Sequence, residues 1–157
     1  MLTSDTRQPV ESTDRFARKL FYELQQAILG HESQAMNGNV EAIHDMRVGI
    51  RRLRVALSNF AVCLSKSDRH RLQTNLKNLA DALGGVRDLD VMIEALKDSQ
   101  KNQLKEDKIV IGALIRRLQR RRRKQLQRLT AYLDGEEYSA FRGEFSGCGE
   151  ELDEQTA

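Results

Sequence analysis

Tryptophan is absent, proline occurs once, as Pro9, and cysteine only twice, as Cys63 and Cys148. With no proline after Pro9, no later helix is interrupted by a missing amide donor. Two cysteines without a CxxC pair argue against a disulfide framework and for a reducing compartment, so a cytoplasmic location is expected. Aromatic residues make up 5% of the chain, and no Phe, Tyr or Trp lies within His44–Arg54 or Arg116–Arg128, where single-strand binders would interleave rings for bases to stack on. No apolar run approaches the roughly 18 residues of a membrane span. The opening MLTSDTRQPVES lacks the apolar stretch of a secretory signal, and residues 1–12 are expected to form a disordered leader.

What is abundant is Leu, Ala, Arg, Lys, Glu and Gln, the composition of an all-α protein. At 157 residues the chain is long enough to bury one real core. The expected fold is an antiparallel helical bundle of four to five helices, two of them long. The net charge of +3 hides a lopsided distribution. Ile115 to Arg128 holds eight basic residues and no acid, whereas Asp134 to the end holds eight acids against one base, Arg142. Such asymmetry bears on partners more than the total does.

Several chemistries lack their residues. His31, His44 and His70 have no histidine at i+4, so no metal site and no cofactor is expected. Neither Cys63 nor any serine sits in a nucleophile elbow. Gly84-Gly85 is followed by Val-Arg-Asp, not by the Lys-Ser/Thr of a phosphate loop. Cationic side chains without catalytic partners favour a binding module over an enzyme.

The chain is organised around Ile43 to Leu64. Ile43, Met46, Ile50, Leu53, Leu57, Phe60 and Leu64 alternate spacings of three and four, which makes one apolar stripe of a helix. Beside it run His44, Arg47, Arg51, Arg54 and Ser58, within a wedge of about 80° centred about 110° from the stripe. From His44 to Arg54 the row extends roughly 15 Å, and Arg52 lies on the outward side. A solvated charged face is the bland explanation. Against it, arginine is used where lysine would serve solubility equally well, and the row borders the core. Arginine is the usual residue for forked contacts to phosphate oxygens. If His44 touches phosphate, acidification should strengthen the contact, since histidine then gains a positive charge.

Around this helix, Phe16, Leu20, Leu24, Ala27 and Ile28 predict a first helix from Ser12 or Thr13 to about Met36, followed by a turn at Asn37-Gly38-Asn39. The organising helix covers about Val40–Leu64, with Ser67 or Asp68 as the next cap. Leu72, Leu76, Leu79 and Leu83 give a third helix its core face. Gly84-Gly85 then implies a kink or a break, each glycine costing roughly 1 kcal/mol in a helix interior, and the bend would aim Arg87 toward His44. A polar loop from Asp98 to about Lys105 leads to a long helix over about Glu106–Leu133. Ile111, Ile115, Leu118, Leu126, Leu129 and Leu133 line its core face. Arg122 falls on that same face, either snorkelling past the packing or entering a polar channel. Tyr138, Phe141 and Phe145 suggest a short final segment before a frayed acidic tail at residues 146–157.

His44-Asp45-Met46-Arg47-Val48, then Arg51-Arg52-Leu53-Arg54, Leu57 and Phe60, resemble the opening signature of the CHAD family, the conserved histidine α-helical domain. Leu76-Lys77-Asn78-Leu79 through Leu83-Gly84-Gly85-Val86-Arg87-Asp88-Leu89-Asp90-Val91 resembles its next signature, and the likeness covers about residues 13–145. It implies an all-helical bundle that binds inorganic polyphosphate in a basic groove or pore, in some members on polyphosphate granules. The implied contacts are His44, Arg47, Arg51, Arg54, Lys77 and Arg87. On the later helix the match is looser, and spacing selects Arg116, Arg120 and Arg123. Members commonly contain two similar halves, whereas no second HxxRxxxRRLR-like stretch follows Asp134. A half-length protein and a truncated one both fit that pattern.

The expected function is therefore capture of inorganic polyphosphate or another polyanion on facing basic rows of the two long helices. Asp88 and Asp90 are expected to orient arginines. The alternatives are an RNA-binding or ribonucleoprotein-associated module, and a structural bundle that meets an acidic protein. A half-sized unit would also expose part of the stripe Ile115, Leu118, Leu126 and Leu129. That predicts either a homodimer or coverage by the Tyr138–Phe145 segment.

Overall fold

The computed structural model describes residues 13–143. They form α1 (Thr13–Leu29), α2 (Glu32–Met36), α3 (Val40–Asn59), a 3-10 turn (Ala61–Cys63), α4 (Lys66–Lys101) and α5 (Lys105–Leu133), with residues 136–143 also helical. The fold is all-α, and no strand occurs among the described residues. The expected leader, the acidic tail, Phe145 and Cys148 lie outside them.

Local chemistry sets the helix starts. The Asn39 side chain accepts the Ala42 amide at 2.9 Å and opens α3. Gly38 turns the chain there at φ +78°, a conformation glycine takes without steric cost. Ser65, not Ser67 or Asp68, caps α4. Its Oγ accepts the Asp68 amide at 3.0 Å, while its hydroxyl donates to the Asp68 carboxylate at 2.7 Å. The first bond satisfies one of the amide donors that a helix start leaves open, and the second holds the Ser65 side chain in place for it.

The apolar stripe of α3 behaves as its spacing predicts. Ile43, Met46, Ile50, Leu53 and Leu57 are all buried, and they pack with Leu76, Leu79, Leu83 and Val86 of α4 and with Leu129 and Leu133 of α5. Burying each such side chain contributes about 2 kcal/mol. Phe60 leaves the stripe and joins Phe16 and Phe21 instead, with ring centroids 5.7 and 6.3 Å away. A smaller cluster, Leu89, Ile93, Ile115 and Leu118, holds the far halves of α4 and α5 together as a two-helix arm.

Several boundaries differ from expectation. The first helix stops at Leu29 and turns at Gly30-His31 before α2, and the organising helix ends at Asn59. The connection after α4 spans residues 102–104 only. No break occurs at Gly84-Gly85, because α4 runs continuously for 36 residues. The reason is close approach on two sides. A Cβ on Gly84 would lie 2.7 Å from Nη1 of Arg47, and one on Gly85 would lie 3.0 Å from Oε1 of Gln125. The pair lets α3's arginine and α5 press against one helix.

The face offered for self-pairing is also covered. Ile115, Leu118 and Leu129 are buried within the chain, and Leu126 is half-buried against the main core. Leu89 and Ile93 of α4 cover Ile115 and Leu118, whereas Tyr138 and Phe141, buried too, close the core over Ile28, Leu76 and Leu79. The Tyr138 hydroxyl donates to Glu32 at 2.8 Å, and Arg142 pairs with the same carboxylate at 2.9 Å. Burial and that hydrogen bond push the Tyr138 phenol well above its ordinary pKa. Arg122 neither snorkels nor enters a channel. It forks onto Asp90, with Nη2 3.2 Å from Oδ2, and donates to the Gly38 carbonyl at 2.9 Å.

Candidate functional site

The row beside the α3 stripe forms one wall of an open cleft of about 1030 Å³. His44, Arg47, Arg51 and Arg54 line it from α3, because positions three and four apart share a helix face. The opposite wall is α4, which contributes Lys77 and Arg87. Six of the nine residues expected at the site thus meet in one place, although they lie up to 43 positions apart (87 − 44). Arg87 reaches the cleft from an unbroken helix, so no bend is needed to aim it.

The cleft is cationic and unneutralised. Four arginines and one lysine line it against a single carboxylate, Asp88. Among the described residues none of these five cations forms an ion pair. Keeping like charges this close opposes folding by mutual repulsion, and the packed core beneath supplies the compensation. The two hydroxyls at the site are engaged by their own helices, Thr74 donating to the His70 carbonyl at 3.0 Å and Ser58 to that of Arg54 at 3.1 Å. Charged N–H groups are left as the main outward donors. Among the described residues no group of three or more His, Cys, Asp and Glu gathers into a metal-binding set.

Three polar contributors were not singled out from the sequence. His70, Gln73 and Thr74 also line the cleft from α4. Their only sequence signal is periodicity, since His70, Gln73, Thr74 and Lys77 fall on one helix face.

Arg116, Arg120 and Arg123 are not brought to this site. None lines the cleft, and all three are exposed on α5. The two basic rows do not face each other because α5 packs on α4, on the side away from α3's arginines. Arg52 is likewise outside the cleft, in an apolar hollow with Leu20, Leu24 and Phe60. Asp90 pairs with Arg122, which is not one of the arginines expected at the site, while Asp88 stands in the cleft without an ion pair among the described residues.

The family model of the CHAD domain matches residues 19–152, which is most of the chain. The chain belongs to the CHAD family. No curated protein and no solved structure matches it. CHAD domains are associated with polyphosphate binding, and in this CHAD domain both signature stretches lie along the cleft: His44 to Arg54 on one wall, Lys77 to Val91 on the other.

Proposed function

We propose that this CHAD domain captures inorganic polyphosphate in the cleft between α3 and α4. The observation that carries the reading is the set of five unpaired cations, Arg47, Arg51, Arg54, Lys77 and Arg87, converging on one concave surface. A polyphosphate chain offers charge and oxygen acceptors at close repeat and nothing to stack. This lining matches that chemistry, for it holds guanidinium forks and an ammonium but no Phe, Tyr or Trp. Capture proceeds by neutralising successive phosphates and releasing their condensed counterions, the driving force familiar from nucleic-acid binding.

The role is binding without turnover. The cleft offers two imidazoles, one carboxylate, no thiol, and hydroxyls that are already donating to backbone carbonyls, with no nucleophile left to work with a histidine. In the cell such capture would hold the protein in the cytoplasm at polyphosphate granules.

A competition assay at fixed salt tests the reading. Long-chain polyphosphate and RNA of equal total charge compete for the labelled protein, with heparin as a charge control. Polyphosphate should displace both others at lower concentration, and the preference should vanish when Arg47 and Arg51 are replaced by Ala. Displacement by RNA at equal or lower concentration would replace this reading with that of an RNA-binding module.

A further inference from the structure

Seven basic residues between Arg116 and Arg128, those other than Arg122, are accompanied by no acid. All seven are exposed, and among the described residues none forms an ion pair. The ridge covers roughly 18 Å of helix and contains no aromatic residue.

Its position relative to the cleft is decisive. Leu89 and Ile93 of α4 pack against Ile115 and Leu118 of α5. At about 100° per residue, Lys77, Arg87 and Val91, which line the cleft, lie on roughly the opposite side of α4. The ridge and the cleft are therefore back to back, with two helix widths, about 20 Å, between them. A short phosphate chain seated in one cannot reach the other.

We propose that the α5 ridge is a second polyphosphate-binding surface, so that one molecule holds two polyphosphate segments and bridges chains. The inference rests on the cleft being a polyphosphate site. A convex ridge binds through charge alone, without an enclosing wall, so its contacts are individually weaker than those of the cleft. Joined in one rigid body, the two surfaces act together on a long polymer, and avidity makes up the difference.

Two variants separate the surfaces. In the first, Arg116, Arg117, Arg120, Arg121 and Arg123 become Gln; in the second, Arg47 and Lys77 become Gln. All of these side chains except Arg47 are exposed, and circular dichroism checks that both variants keep the helical content of the parent. Tripolyphosphate, too short to span both surfaces, is titrated by calorimetry, and long-chain polyphosphate is followed by light scattering. The parent should bind two equivalents of tripolyphosphate and each variant one. The parent should also cross-link long chains, hold them about a hundredfold tighter than either variant, and scatter most at intermediate mixing ratios.

A parent that binds one equivalent, with a ridge variant that scatters as the parent does, would make the ridge a solvated face and overturn the proposal. So would duplex RNA of equal charge outcompeting polyphosphate on the cleft variant, since the ridge would then belong to nucleic acid. If the cleft variant instead still binds two equivalents, it is the cleft reading that falls.

Discussion

The Arg122 guanidinium forks onto the Asp90 carboxylate across 32 positions of sequence, with the two side chains 17% and 6% exposed. The same guanidinium holds the Gly38 carbonyl at 2.9 Å. One ion pair thus ties α4, α5 and the turn that starts the cleft helix. Asp90→Ala would leave a mostly buried cation without its counterion and should cost about 3–5 kcal/mol. Replacing Asp90 and Arg122 together by Leu and Met should cost much less, because no charge is stranded. Urea unfolding of the two variants checks this, and equal losses would show that the pair contributes nothing beyond packing.

Gly84→Ala should separate stability from binding. Alanine is favoured over glycine in a helix interior by about 1 kcal/mol, and the new Cβ meets only the far end of the Arg47 side chain, at 2.7 Å. That guanidinium can move, so the melting temperature should hold or rise. Arg47 is then displaced from its seat and polyphosphate affinity should fall severalfold. Unchanged affinity would show that Arg47's position is immaterial.

Within α3, position should outweigh charge. The double replacement Arg47→Ala and Arg51→Ala should weaken polyphosphate binding by at least about tenfold, given that charge-assisted contacts contribute about 1.5–3 kcal/mol each, with helicity unchanged. Arg52→Ala removes a charge outside the cleft and should do far less. Similar losses per charge removed, read by fluorescence titration, would mean that only bulk charge matters.

These expectations mark where the sequence was legible. The three-four spacing of Ile43, Met46, Ile50, Leu53 and Leu57 predicted a buried stripe, and the angular offset of His44, Arg47, Arg51 and Arg54 predicted one shared face. Periodicity of this kind is a property of a single helix. Which helix lies opposite is a property of packing, so Arg116, Arg120 and Arg123 were expected across from α3 although α4 stands between. The glycine pair misled for a related reason. Its propensity cost is local, whereas its benefit, room for Arg47 and Gln125, needs both neighbours in place. His70 carries no motif of its own, and only the arrival of α3 opposite α4 makes it part of a site.

Alkaline stability should report on the core's closing contact. Burial, then the Glu32 hydrogen bond, raise the Tyr138 phenol, while burial and Glu137 push Tyr132 up to about 12. A phenol whose folded pKa lies above its unfolded value of about 10 binds its proton more tightly when folded. It therefore stabilises the fold fully below that pH, and the contribution is lost as pH rises through the folded value. Unfolding free energy measured from pH 8 upward should decline beyond about pH 10. Tyr138→Phe should make that decline shallower while costing about 1–2 kcal/mol at neutral pH through the lost hydrogen bond. A decline equally steep in the variant would place its cause elsewhere.

The contact between Tyr138 and Glu32 joins residues 106 positions apart, and this sets an order of events during synthesis. At about 5–20 residues per second, α1 and α2 leave the ribosome roughly five to twenty seconds before the segment that covers Ile28, Leu76 and Leu79. Both walls of the cleft emerge earlier, with α3 and α4. A nascent chain can therefore assemble both cleft walls while one side of its core is still open, and that uncovered leucine face is the surface a chaperone would find.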